Sequence, residues 1–106
     1  MGFTVTTEQK LADLGGIALT GLYYTFRKRC KIQGTVSQHG DRSWIIEGQY
    51  GRYASLQAYK DGSTCISGEK TVRVSTDTLE VNVFGLLYGK LKEELALEEQ
   101  HFKDVL

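Results

Sequence analysis

Apolar residues near the start of the chain recur at helical spacing. Leu11, Leu14, Ala18, Leu22 and Phe26 fall three and four residues apart, as on one helix face. Thr6 with Gln9 fits a capping box at the entry. This pattern predicts an N-terminal helix from residue 7 that continues past Gly16. Arg27, Lys28, Arg29 and Lys31 would then sit at its C-terminus, where cations favour the helix dipole. Gly15, Gly16 and Gly21 oppose it, each costing about 1 kcal/mol inside a helix. Tyr23-Tyr24-Thr25-Phe26 also prefers extended backbone. A second parse therefore stands: a short helix stopped at Gly15, then a long strand. Its one face would carry Leu22, Tyr24, Phe26, Lys28, Cys30 and Ile32.

Beyond Ile32 the pattern alternates with a period of two, and glycines punctuate it. Residues 44–50 read as one strand and residues 53–60 as the next, with Gly51-Arg52 as a tight connection. Lys60-Asp61-Gly62-Ser63 predicts a hairpin, because Asp-Gly readily takes positive φ. Residues 64–67 and 71–75 supply two more strands. The links suit antiparallel neighbours, being too short for parallel crossovers.

The last third returns to helical spacing. Residues 76–78 suggest a helix entry or turn, and residues 79–83 a last short strand. Phe84, Leu87, Leu91, Leu95, Phe102 and Val105 form an apolar stripe, with Leu97 off it. The run 91–100 has the strongest helix propensity in the chain. It predicts a helix over 88–103, with Glu99 and Lys103 as an i,i+4 pair. The fold class expected is α+β. An N-terminal helix precedes a central antiparallel sheet of three to five strands, and a C-terminal amphipathic helix packs on one face. The 106 residues are the length of one domain, 1–106.

Thirteen bases balance thirteen acids overall, so no global charge advertises a nucleic acid or a membrane. The charge is segregated nonetheless. Residues 1–75 hold ten bases and six acids, a net of +4, and residues 76–106 hold three bases and seven acids, a net of −4. The longest uncharged run, Leu14 to Phe26, falls short of the about twenty apolar residues a bilayer needs. Its flanks are acidic before and basic after, the reverse of a signal peptide. These features predict a cytoplasmic protein with no membrane partner, in which Cys30 and Cys65 are reduced, half-buried small hydrophobes.

Candidate chemistry is sparse. Arg27, Lys28, Arg29 and Lys31 are the densest cationic cluster. With Arg42 and Arg52 they offer phosphate contacts, and Tyr50, Tyr53 and Tyr59 offer rings for base stacking. The plainer account makes the cluster a solubilising edge and the tyrosines sheet packing. His39-Gly40-Asp41-Arg42 brings an imidazole, a carboxylate and a guanidinium together, but in residue types that a turn selects. His101 lacks a second ligand at metal spacing. Glu93-Glu94 and Glu98-Glu99 read as a solvated face, or as a docking surface for a basic partner. No nucleophile, base and orienter fall at recognisable spacing, so no enzyme, metal or cofactor is expected. The function expected is a non-enzymatic binding or adaptor module acting through protein–protein contacts, with a homo-oligomer as one form. The alternative is nucleic-acid or nucleotide-phosphate binding through the cluster at 27–31 and the sheet tyrosines.

Overall fold

The computed structural model describes residues 2–78 and 82–105. It is α+β, built on a five-stranded antiparallel sheet with two helices. The strands are β1 (Gly2–Val5), β2 (Gln9–Leu11), β3 (Ile17–Leu19), β4 (Tyr23–Val36), β5 (Arg42–Tyr53), β6 (Lys70–Thr76) and β7 (Phe102–Val105). The helices are α1 (Leu56–Lys60) and α2 (Val83–Glu94). The main sheet has the order β6-β5-β4-β1-β7, and β2 and β3 form a separate hairpin.

The N-terminal helix is not formed. Residues 2–5 are strand, and only Ala12–Leu14 make a single 3₁₀ turn, stopped by Gly15 in the left-handed region. The three glycines decide this. Gly15, Gly16 and Gly21 have φ of 72°, 83° and 82°, values that shape turns and that a continuous helix excludes. Thr6 caps no helix; its N–H donates to the His101 carbonyl. The second parse came closer: a strand runs from Tyr23 to Val36, with Tyr24 and Phe26 on its buried face.

Four corrections follow in the middle of the chain. Strand β5 passes straight through Gly51 and Arg52. Residues 56–60 are helical because the Ser55 side chain accepts from the Ala58 N–H at 3.0 Å, an N-cap. Gly62 does take positive φ, at 81°, but it closes α1 rather than a hairpin: the Ser63 N–H donates to the Ala58 carbonyl. Residues 64–67 are not strand.

The C-terminal helix is shifted and shortened. Asn82 caps it, its side chain accepting from the Gly85 N–H at 3.0 Å, and it ends at Glu94 rather than reaching residue 103. Ala96 turns the chain at φ 55°, and residues 102–105 become β7, the outer neighbour of β1. Tertiary pairing thus overrides the helix propensity of 95–100. Of the short strand expected over 79–83, residues 79–81 lie outside the described residues. Val83 is already helical.

The core lies on one face of the sheet. Phe3, Tyr24, Phe26, Ile46 and Val72 point from the strands toward Leu87, Tyr88 and Leu91 of α2, and all are buried. Phe3 stacks on Tyr24 with ring centroids 5.2 Å apart, and Tyr88 meets Phe26 edge-on at 4.8 Å. Gly48 lets α2 settle closely: a Cβ there would lie 2.8 Å from a Leu87 methyl and 3.0 Å from the Phe26 ring. The β2–β3 hairpin docks by Leu11 and by two polar ties. Tyr24 Oη donates to Gln9 Oε1 at 2.8 Å, and Arg52 Nη2 donates to Asp13 Oδ2 at 2.7 Å. Strands β4 and β5 are far longer than the rest and carry their distal ends beyond the core as an arm. The molecule measures 48 × 25 × 25 Å.

Candidate functional site

Two features distinguish the surface, and β4 supplies both. The first is a bulge. Among the described residues β1 pairs with β4 only at Tyr23 and Tyr24, and no other strand pairs with that edge beyond them. There Phe26 pairs with Tyr50 but Cys30 pairs with Gly48, leaving two more residues on β4 than on β5. Bulges of this kind redirect side chains and break an edge. The residues in the bulge are Arg27, Lys28 and Arg29, all exposed. Tyr88 braces the spot from α2, its hydroxyl accepting from the Phe26 N–H at 3.1 Å. Arg27 Nε pairs with Glu69 Oε1 at 2.7 Å. Lys28, Arg29 and Lys31 have no ion pair among the described residues.

A cavity of about 240 Å³ opens beside the bulge. Arg27 and Lys28 flank it, with Tyr59 of α1 and Phe84 and Tyr88 of α2. The two helices lie on opposite faces of the sheet. Tyr59 packs on Tyr23 and Tyr53, at 5.2 and 4.9 Å between centroids, whereas Tyr88 packs on Phe3 and Phe26. The cavity lies at the β4 edge between them.

The second feature is the arm. Its tip is a turn in which the Ser37 hydroxyl accepts from the His39 and Asp41 N–H groups, with Gly40 at φ 82°. His39-Gly40-Asp41-Arg42 is therefore turn chemistry, as its residue types suggested. One side of the arm is polar: Arg73 Nη2 reaches Glu47 at 3.3 Å, and the Thr35 and Ser43 hydroxyls meet at 2.7 Å. The other side continues the core's apolar face outward. Ile32 pairs with Ile46 and Gly34 with Trp44 across β4 and β5. Ile32 is 45% exposed and Val36 67% exposed.

The nine residues singled out from the sequence are dispersed by the fold. Arg27, Lys28 and Tyr59 meet at the cavity beside the bulge. Arg29 and Lys31 line a separate hollow with Cys30, Glu47 and Gln49. Arg42 stands near the arm tip, opposite Val36. Tyr50 is half-buried between Tyr24 and Phe26 on the core face. Tyr53 packs on the opposite face beneath Tyr59.

Arg52 is buried and committed to Asp13, with Lys70 Nζ 3.9 Å from the same carboxylate oxygen. The Ser67 hydroxyl and the Arg52 guanidinium hold the Asp13 carboxyl at about 2, below its ordinary 3.8. Burial raises the hydroxyls of Tyr23, Tyr24, Tyr50 and Tyr53 above the usual tyrosine range.

His101 is structural, its Nδ1 accepting from the Glu98 N–H at 3.1 Å. No group of three or more metal-ligating side chains occurs among the described residues. Cys30 and Cys65 are free and half-buried. No helix among the described residues is long and apolar enough to cross a membrane.

Sequence reasoning passed over Ile32, Val36 and Trp44 as a surface, and Phe84 and Tyr88 as cavity walls. The alternation Ile32, Gly34, Val36 was a legible signal for the first group. The second needed α2 placed against β4. Compared with family models, curated proteins and solved structures, the chain matches none.

Proposed function

We propose that the chain is a non-enzymatic binding module that engages a protein partner through the β4–β5 arm. One observation carries this reading: Ile32 and Val36 lie exposed beside Trp44 on the apolar side of a projecting hairpin. Isolated exposed apolar residues are ordinary, but a stripe continuous with the core on a projecting element marks an interaction surface. Burying one such side chain on a partner contributes about 1.5–3 kcal/mol. Arg42, paired with Val36 across β4 and β5, sets one cation beside the stripe near the tip. A partner surface that is apolar with an acidic border fits it, whether on another protein or a second copy.

The test replaces Ile32 and Val36 with Glu and places a photo-crosslinker at exposed Arg42, the cross-strand neighbour of Val36, in both the native and the doubly substituted chain. Sedimentation of the purified protein reports self-association, and crosslinking in the native host reports other partners. The reading expects a defined adduct, or a concentration-dependent dimer, that the double variant loses while its melting temperature is kept. A monomer that yields no adduct, or an adduct indifferent to the double variant, refutes it.

A further inference from the structure

The cavity beside the bulge is independent of the arm, and its chemistry points to a small ligand. Its walls are aromatic: Tyr59 from α1, Phe84 and Tyr88 from α2. Its flanking cations, Arg27 and Lys28, are exposed in the bulge. Tyr88 is buried, whereas Tyr59 is 41% exposed, so the apolar character increases inward and the positive charge stays at the mouth. A ligand that matches puts a planar ring inside and an anion at the rim.

We propose that this cavity binds a nucleoside monophosphate unit, its base against the aromatic walls and its phosphate on Lys28 and Arg27. Base–aromatic stacking tolerates any base, because every base presents a π-face. Arginine and lysine are the usual partners of phosphate oxygens. The size agrees: about 240 Å³ lies just under the roughly 300–1,000 Å³ typical of small-ligand pockets. One base and one phosphate suit it better than a dinucleotide. A phosphorylated tyrosine fits poorly, since its phosphate sits at the far end of the ring and would enter the aromatic interior first. Glu69 now pairs with Arg27 at 2.7 Å. An arriving phosphate competes with that carboxylate for Arg27, while Lys28, without an ion pair among the described residues, meets it unopposed. The dispersal of Arg42, Arg52 and Tyr50 elsewhere limits the site to one nucleotide rather than an extended strand.

The experiment titrates AMP, UMP, adenosine and inorganic phosphate, followed by amide chemical shifts in the intact protein. The same titrations are run on Lys28→Ala and on Tyr59→Ala, each checked for an unchanged melting curve. AMP and UMP should both bind, with shifts centred on residues 25–28, 59 and 84–88. Adenosine and phosphate should each bind about tenfold or more weakly. Lys28→Ala should reduce nucleotide affinity about tenfold and flatten its salt dependence, and Tyr59→Ala should reduce it with the salt dependence kept. A short oligo-dT separates the two sources of the unit. Binding that is stronger than for UMP and equally dependent on Lys28 and Tyr59 supports one residue of a single strand as the native ligand. Affinity no better than UMP supports the free nucleotide. No shift with AMP or UMP up to about 10 mM, equal affinity for adenosine and AMP, or binding unchanged in both variants overturns the proposal. In that event the bulge cations serve only to keep an open sheet edge from pairing. None of these outcomes bears on the arm, whose test reads different residues.

Discussion

Gly48→Ala should destabilise the protein through the contact between α2 and the sheet. The backbone at Gly48 is not in the left-handed region, so the whole cost is steric. The added Cβ would sit 2.8 Å from Leu87 Cδ1 and 3.0 Å from Phe26 Cδ1. Leu87 is fully buried and Phe26 nearly so, and neither can swing away. Phe26 is also wedged between Tyr88 and Tyr50, at 4.8 and 5.7 Å between centroids. Overpacking of this kind costs about 1–3 kcal/mol. Removing a glycine's backbone freedom from a strand offsets about 0.5–1 kcal/mol of that. The net loss is about 0.5–2 kcal/mol, or roughly 2–16 °C in melting temperature for a chain of this size. Urea denaturation of four proteins checks the mechanism: wild type, Gly48→Ala, Leu87→Ala and the double variant. Leu87→Ala alone should cost about 2–5 kcal/mol from its cavity. In the double variant the new methyl partly occupies that cavity. The double should therefore lose at least about 0.5 kcal/mol less than the sum of the singles. A neutral or stabilising Gly48→Ala, or strict additivity, would mean that α2 does not rest on this part of the sheet.

Four further outcomes are expected. Asp13 has its folded-state pKa depressed to about 2 from 3.8, so its contribution is complete above about pH 4 and is lost as pH falls through about 2. Asp13→Asn should lower the melting temperature at neutral pH and flatten that acid segment of the stability curve. Leu95 and Leu97 both pack partly buried against the core, so Leu97 is not the spare position its place off the stripe suggested; Leu95→Asp and Leu97→Asp should each cost about 2 kcal/mol or more in thermal melts. Arg27, Lys28 and Arg29 replaced together by Ala should shift melting by only a few degrees, because exposed charges contribute below about 1 kcal/mol each. Thiol titration of the denatured, unreduced protein should count two thiols, since Cys30 packs with the core on the α2 side while Cys65 lies by Gly51 and Tyr53 on the α1 side.

The class of fold was legible because period-two alternation and frequent turn residues survive in any antiparallel sheet. Strand β6 and the turn at 37–41 were readable from local chemistry alone. The N-terminal region was misread because its helical spacing at Leu11, Leu14, Ala18 and Leu22 is coincidental. Leu11 ends β2 and Leu22 precedes β4, each buried in its own setting, and the positive φ of Gly15, Gly16 and Gly21 outweighs the periodicity. Residues 95–105 were misread for the opposite reason. Their propensity is helical, but β1 needs a partner on its outer edge, and Phe102 fills the space beside Phe3 with ring centroids 5.8 Å apart. The basic cluster was visible as composition. That it occupies a bulge was not, because a bulge is a property of two strands' register. Arg52 looked like a surface cation, and only Asp13, thirty-nine positions away, explains its burial.

The pairing of β1 with β7 joins Gly2 to Val105 and so sets the order of folding. Closing a loop that spans nearly the whole described chain carries a large entropic cost, one that grows by about 0.6 kcal/mol with each doubling of length. The hairpin of β4 and β5 closes across only five residues and can form early. Strand β1 can then pair with β4 at Phe3 and Thr4 while its other edge waits for residues 102–105. During synthesis that edge stays unpaired until almost every other element has emerged. A nascent or truncated chain lacking residues 102–105 therefore presents an apolar strand edge, with Phe3 and Val5, open to the same strand of another copy. Aggregation of such chains, suppressed by adding the missing segment as a peptide, is the behaviour this topology builds in.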